Sequence, residues 1–556
     1  MKILHMSYLP LITISFLFFC FSILNPVHTL PWPGFFSETS AFIAILLLLP
    51  LCFNRQLKVP KITIPFFFIL ILPLIQYAFG QIFFFSNVSL SIVYMFIFWL
   101  AIIIGYSLSI EENKIQLNFN LAIFLAWFLF ISGAVSTLFA LLQWLNLSPH
   151  VPVIMEFVGY RPYANMAQPN HLGTLLNLAL FSSCYLYGKA KLKLSLLISS
   201  FIFLTFAIAL TQSRTGYLIF LSALILVFLF HKKLNLIIKN KYLIMVLIYF
   251  LTIISFLSEI KNFLSLYFDI RQTASIVERA TTGYERLKIW NQMVHAIMKQ
   301  PWDGYGWNQT TSAQFSVIDL YHGHEWATSS HNFFLDILVW SGVPIGIVVI
   351  SFIIYFYLYL FNNVFDLDRF FSFLVVSALG IHSLLEYPLY YSYFLILLGL
   401  FCGTALTGYR NTVYQIRSEY SIFIFILGML VFFGICRDYF KVEDNLFAGR
   451  LHAMGDLRSN VELPHHLYFL DNFQARAKWL ALYPEVQVNQ EQLDEAEKII
   501  RTSLKPYDLY KYAQLMAFNN NKEEALRTLK ILNVMYGMDF SYHQLTQNKS
   551  KEIVEN

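Results

Sequence analysis

"VSLSIVYMFIFWLAIIIGYSLS", residues 88–109, contains no charged side chain over its whole length. As an α-helix rising about 1.5 Å per residue it covers about 30 Å, the hydrocarbon thickness of a bilayer. The same pattern recurs on both sides of this stretch. Apolar runs lie at 7–24, 39–54, 63–80, 119–145, 171–188, 195–211, 216–230, 243–257, 339–361, 370–386, 391–408 and 420–436. With 57% hydrophobic, 18% aromatic and 13% charged residues, a soluble domain is excluded. The expected fold is an all-α polytopic membrane protein with about 13 transmembrane helices.

Charge sets the orientation. Loops on the N-terminal side of the membrane hold Lys2, Arg55, Lys58, Lys61, Lys114, Lys189, Lys191, Lys193, Lys232, Lys233, Lys239, Lys241, Arg369, Arg410 and Arg417. The short loops opposite hold Arg161 and Arg214. Such a bias places the N-terminus in the cytoplasm, and an odd number of spans places the C-terminus outside. The first apolar run lacks a small-residue cleavage site and reads as an anchor. Two regions are expected: a transmembrane catalytic domain over 1–436, including a long exported loop near 258–330, and an exported helical domain over 437–556. Cys20, Cys52, Cys184, Cys402 and Cys436 all fall in or beside spans, so no disulfide framework is implied. No basic-aromatic pattern suggests nucleic acid as a partner.

The tail differs in kind. Residues 509–537 read as two amphipathic helices around a polar turn, resembling one tetratricopeptide-like pair, with 493–504 as a preceding helix. One pair cannot bury its face alone, so neighbouring elements must cover it. A small helical cap without repeats is the alternative.

Ionisable residues at a membrane edge are costly and are functional suspects by default. On the exported face they gather in four places. Arg161, Gln168, Asn170 and His171 precede or open the sixth span, where Pro169 suits a helix start with a positive dipole end. Arg214 sits in a tight turn. Arg279, Arg286 and Lys288 lie at helical spacing in the long loop, and His382, Glu386 and Tyr387 mark the outer end of the eleventh span. Taken singly, the arginines could snorkel to headgroups, Gln168 and Asn170 could be caps, and Glu386 could pair with His382 to hold the bundle. Taken together, four groups on one face, three carrying arginine, suit a diphosphate.

"HGHEWATSSHNFFLDILVW", residues 322–340, holds three histidines ahead of an apolar helix. His322, His324, Glu325 and His331 are zinc-ligand types without a standard zinc spacing. His331, beside Asn332 and two serines, could instead act as a general base near neutral pH; an ordinary interfacial histidine is the alternative.

In order along the chain, "QPNHLGT" (168–174), "SRTG" (213–216), the "R…W…PWDGYGW" loop ending at 307, "HNFFLDILVWSGVPIG" (331–346) and "HSLLEYPLYY" (382–391) resemble the bacterial protein O-oligosaccharyltransferases, relatives of the O-antigen ligases and polymerases. The resemblance covers roughly residues 120–410. It implies an enzyme of the bacterial inner membrane. That enzyme would move an oligosaccharide from undecaprenyl diphosphate to a Ser or Thr hydroxyl of a periplasmic protein such as a pilin. His331 would take the hydroxyl proton. Arg214 and Arg286 would hold the diphosphate, with Arg161 and Arg279 as further candidates. Gln168, Asn170, His171, Asn332, Glu386 and Tyr387 would bind or orient substrates. No metal or cofactor is called for, and the Asp366-Leu-Asp368 triplet falls on the cytoplasmic side of the expected topology. An O-antigen ligase or polymerase shares the donor and differs in acceptor. A transporter would place polar residues through the membrane midplane instead.

Overall fold

The computed structural model describes residues 2–53, 55–237, 240–270, 276–408, 412–455 and 460–545. In chain order its first helices are α1 (Lys2–Leu24), α2 (Phe35–Leu48), α3 (Ile64–Ile69), α4 (Ile71–Ala78), α5 (Phe85–Ser109), α6 (Glu111–Leu117) and α7 (Leu121–Trp144). There follow α8 (Pro169–Gly188), α9 (Leu194–Thr211), α10 (Arg214–Leu234), α11 (Asn240–Leu264), α12 (Ile276–Lys299), α13 (Thr310–Phe315) and α14 (Phe333–Asn362). The last membrane helices are α15 (Leu367–Ser383), α16 (Ser392–Ala405) and α17 (Ser418–Met454), and the tail adds α18 (Asp471–Ala481), α19 (Gln490–Thr502), α20 (Pro506–Phe518) and α21 (Lys522–Tyr536).

The protein is an all-α polytopic membrane protein. Among the described residues, nine helical stretches are long and apolar enough to cross a bilayer, and Tyr8–Leu24 and Ser392–Ala405 are shorter apolar helices. The remaining two expected runs, 171–188 and 370–386, fall on α8 and α15. One feature escaped the periodicity: an antiparallel strand pair, β1 (Leu57–Pro60) and β2 (Val413–Ile416), with Leu57 opposite Ile416.

The chain divides into two compact units. The first comprises residues 1–67, 94–275 and 353–430. Lipid offers helices no hydrophobic drive to associate, so close packing of small residues holds them together. Gly399 and Gly403, spaced four apart on α16, meet Ala101 and Gly105 on α5; a methyl on Gly399 would stand 2.7 Å from the Ala101 Cβ. Where the basic loops gather, the Asp366-Leu-Asp368 triplet is structural. Asp366 caps α15 through the Arg369 N–H at 2.9 Å, while Asp368 accepts from Lys114 at 3.1 Å and Tyr185 at 2.9 Å and pairs with Lys189.

The second unit comprises residues 68–93, 276–352 and 431–556. Its tail helices share a core of Trp479, Ile500, Leu509, Tyr512, Leu529 and Leu532, extended by Phe84, Phe315 and Ile318 from other segments of the unit. This supplies the cover that one amphipathic pair lacks. An Asn489–Gln492 capping box starts α19. Buried Asp508 gathers Arg476 at 2.6 Å, Trp479 at 2.9 Å and Ser503 at 2.8 Å, and so ties α18 to α20. α17 runs unbroken through residue 436.

α14 is kinked at Gly342, with φ 74° and ψ 169°, two residues before Pro344. A proline inside a helix leaves the carbonyl four residues earlier without its donor. That carbonyl, Trp340, accepts from the Gln76 side chain at 2.7 Å and from the Gly306 N–H at 3.1 Å. The 301–306 loop completes the repair: Val343 N–H donates to Pro301 O at 2.8 Å, and Tyr305 N–H donates to Val339 O at 2.9 Å. The approach needs glycines, since a methyl on Gly304 would stand 2.5 Å from Gly342 N and one on Gly342 would collide with Trp302 O.

Candidate active site

In the second unit the sequence Ser329-Ser330-His331-Asn332 leads into α14 as a tightly held turn. Asn332 caps the helix, its Oδ1 accepting from Phe334 N–H and Leu335 N–H at 3.1 Å each. His331 lies immediately before this cap with φ 58°, a left-handed conformation that side chains bearing a Cβ rarely adopt. The surroundings impose it. Asp336, one turn into α14, accepts from Ser329 Oγ at 2.6 Å, Ser330 N–H at 2.8 Å and Thr310 Oγ1 at 3.0 Å. Trp340 Nε1 donates to the same Thr310 hydroxyl at 2.8 Å. Ser329 Oγ in turn accepts from the His331 N–H at 3.1 Å.

The turn is also tied to α12, because Trp290 Nε1 donates to Ser330 O at 2.9 Å. Arg286, half-buried, precedes Trp290 by one turn of the same helix. The Arg279 side chain lies outside the described residues. His324 is turned away: its Nδ1 bonds the Val534 carbonyl of α21 at 2.9 Å. Among the described residues no three or more His, Cys, Asp or Glu side chains gather as a metal-ligand set.

The first unit holds the other candidates, collected around Asn170. α8 begins at Pro169 as expected, and its N-cap residue Gln168 makes no side-chain capping bond. Asn170 Oδ1 accepts from Arg161 Nη2 at 3.0 Å and Ser213 Oγ at 2.8 Å, while its Nδ2 donates to Glu386 Oε1 at 2.5 Å. Arg161 Nε also donates to Thr211 O at 2.8 Å. Ser213 caps α10, accepting from Gly216 N–H at 3.0 Å, and Arg214 opens that helix with its side chain exposed. Two helix N-termini and two arginines therefore converge. This is a positive locus suited to an anion.

Glycines permit the convergence. A methyl on Gly216 would stand 3.3 Å from Gly173 Cα, and Asn177 Nδ2 bonds both Gly173 O at 2.7 Å and Gly216 O at 3.0 Å. The "QPNHLGT" and "SRTG" segments thus lock into one another. Behind them His171 is fully buried, its ring 4.6 Å from Tyr391, 5.3 Å from His382 and 6.3 Å from Tyr387. His382 Nδ1 meets Thr174 Oγ1 at 2.9 Å, and Glu386 reaches Asn170, which makes Glu386 part of this network rather than only a bundle contact. Buried His171 Nε2 and Gln168 Oε1 have no hydrogen-bond partner among the described residues.

Sequence reading missed Asp336 and Thr310. Asp336 had a signal: it is the one acid inside an otherwise apolar run, a suspect by the same rule applied elsewhere. Thr310 had none, because its partner lies 26 residues away.

Comparison with known proteins covers nearly the whole chain. A family model described as O-Antigen ligase matches residues 199–350, one described as Protein glycosylation ligase matches 162–187, and one described as Virulence factor membrane-bound polymerase, C-terminal, matches 371–550. A General O-oligosaccharyltransferase of Acinetobacter baylyi is 35% identical over 541 residues, 95% of this chain and 93% of that one. A ComP-specific O-oligosaccharyltransferase of the same organism is 29% identical over 486 residues, 85% of this chain and 86% of the relative.

Proposed function

The chain belongs to the O-oligosaccharyltransferases of the O-antigen ligase superfamily, and from that premise we propose how it carries out protein O-glycosylation. It is a glycosyltransferase that takes an oligosaccharide from a lipid-linked donor and delivers it to a protein. The donor lipid is undecaprenyl diphosphate, and the acceptor is a Ser or Thr of an exported protein such as a pilin. The enzyme sits in the bacterial inner membrane, with its N-terminus cytoplasmic and its chemistry and C-terminus periplasmic. Residues 1–436 carry the chemistry, and 437–556 form the exported helical region.

The acceptor oxygen attacks the anomeric carbon while the bond from that carbon to the phosphate oxygen breaks. The hydroxyl proton passes to the neutral imidazole of His331, and the lipid diphosphate departs with the bonding pair. Arg214 and Arg286 hold the diphosphate and meet the charge that grows on it; Arg161 and Arg279 add to the positive field. Gln168, Asn170, His171, Asn332, Glu386 and Tyr387 orient donor and acceptor. The observation that carries this reading is the turn at 329–332, where a histidine is fixed in a strained conformation by a network of buried hydrogen bonds. Such strain is retained where geometry serves a purpose.

The test uses purified protein in lipid nanodiscs, undecaprenyl-diphosphate-linked oligosaccharide and a Ser-containing acceptor. The acceptor should gain the mass of one glycan with wild-type protein and not with His331→Ala. Transfer by His331→Ala at the wild-type rate would remove His331 from the mechanism.

A further inference from the structure

Within the second unit, the kink of α14 marks a change of surroundings. α14 is two helical segments joined at Gly342, whose φ and ψ are not helical. The stretch from Gly342 to the helix end at Asn362 has the length of one crossing. Burial changes at the same place: no residue from 333 to 343 is exposed, whereas Pro344, Ile345, Ile347 and Val348 all are, Val348 to 68%. An apolar exposed face on a membrane helix faces lipid, so the lipid-facing surface of this unit begins at the kink.

Two large rings stand at that level. Trp302, whose carbonyl abuts Gly342, is 76% exposed. The next residue, Asp303, accepts from Gln81 Nε2 at 2.9 Å, which draws in the 79–81 turn with Phe79, 79% exposed. The loop bonds that repair the kink hold Trp302 at this height. An amphipathic tryptophan at the boundary of lipid-facing surface is what the membrane–water interface selects.

We infer that Trp302 and Phe79 form an anchor seated in the headgroup zone of the exported leaflet. The partner of this surface is the bilayer itself. The consequence for catalysis rests on the proposed function: the nine-residue helical segment Phe333–Ser341 joins the proposed catalytic turn directly to the kink beside this anchor.

The test reads depth directly. Trp302→Cys, Phe79→Cys and, as an aqueous control, Leu320→Cys carry a nitroxide in full-length protein in phosphatidylethanolamine–phosphatidylglycerol nanodiscs, with the signal of the identically treated parent chain subtracted. Labels at 302 and 79 should collide more with oxygen than with a water-soluble nickel chelate, and the order should invert at 320. If a cysteine variant fails to accumulate, quenching of the parent protein's tryptophan emission by brominated lipid should fall in Trp302→Phe. Nickel access at 302 and 79 equal to that at 320 would overturn the anchor, as would protection appearing only when acceptor protein is added. Because no glycan transfer is measured, this outcome is independent of whether His331 is the base.

Discussion

At position 331 a histidine occupies backbone space that costs a residue with a Cβ on the order of 1–3 kcal/mol. The cost is met by Asp336, which holds the two preceding serines and Thr310. His331→Ala keeps the strained backbone and removes the imidazole, so transfer should fall by roughly 10²–10⁴ while the protein still accumulates. His331→Gly should lose as much activity yet melt higher than His331→Ala, because glycine accepts this φ without penalty. Equal melting temperatures would deny the strain. Asp336→Asn presents an amide N–H in a pocket otherwise filled by donors. The expected result is a fall in kcat with little change in KM for donor, and a return of activity in Asp336→Glu above that of Asp336→Ala. At the anion locus, Arg214→Lys retains charge and loses the planar fork, so transfer at limiting donor should drop about tenfold. Full activity there would mean that Arg214 only meets lipid headgroups.

At the scale of elements, two crossings decide where these residues stand, and both are built on glycine. The α8–α10 crossing at Gly173 and Gly216 brings Asn170 to Ser213 and Arg161. The Gly304–Gly342 contact lets a loop complete the hydrogen bonds that Pro344 breaks in α14. Gly342→Ala adds a methyl where Trp302 O already sits, at a φ that alanine resists. Overpacking of this kind costs about 1–3 kcal/mol, so a lower melting temperature in detergent is expected, with activity lost in parallel. Gly304→Ala disturbs the same contact, and the double substitution should therefore cost less than the sum of the two.

For the whole chain, the tail is no appendage. Phe84, Phe315 and Ile318 belong to its core, and Arg527 on α21 donates to Phe315 O at 2.6 Å while lying over that ring at 4.5 Å. Arg527→Ala should loosen the 305–327 segment, seen as faster hydrogen exchange there, and lower transfer without touching a substrate-binding group. The tail's stability should also depend on pH. Burial pushes the Lys511 amine down from 10.5 to about 8, against the pull of Asp508. Between these values the unfolded chain holds a proton that the folded chain has released, so stability should rise as pH rises from about 8 towards 10.5. Resistance of the tail to proteolysis at pH 7.5 and 9.5 measures this, and Lys511→Met should abolish the difference.

The sequence by itself determined the all-α membrane class, because a span must satisfy its backbone internally over a fixed thickness, and apolar runs report that locally. It also marked His331, the arginines and the Asn170 segment, since ionisable groups beside such runs stand out against an apolar background. The helix start at Pro169 and the tail pair at 506–536 were legible for the same reason: caps, turns and helical spacing act over a few residues. What only the tertiary structure decided acts across distance. Trp290 and Thr310 reach the histidine turn over tens of residues, and Gln76 repairs a proline break 264 residues away. The β1–β2 pair joins strands more than 350 residues apart, and Glu386 chooses Asn170 through a contact 216 residues long. A hydrogen bond needs only two groups of the right kind, and many residues qualify in sequence; which two meet is fixed by how glycine-lined helices cross.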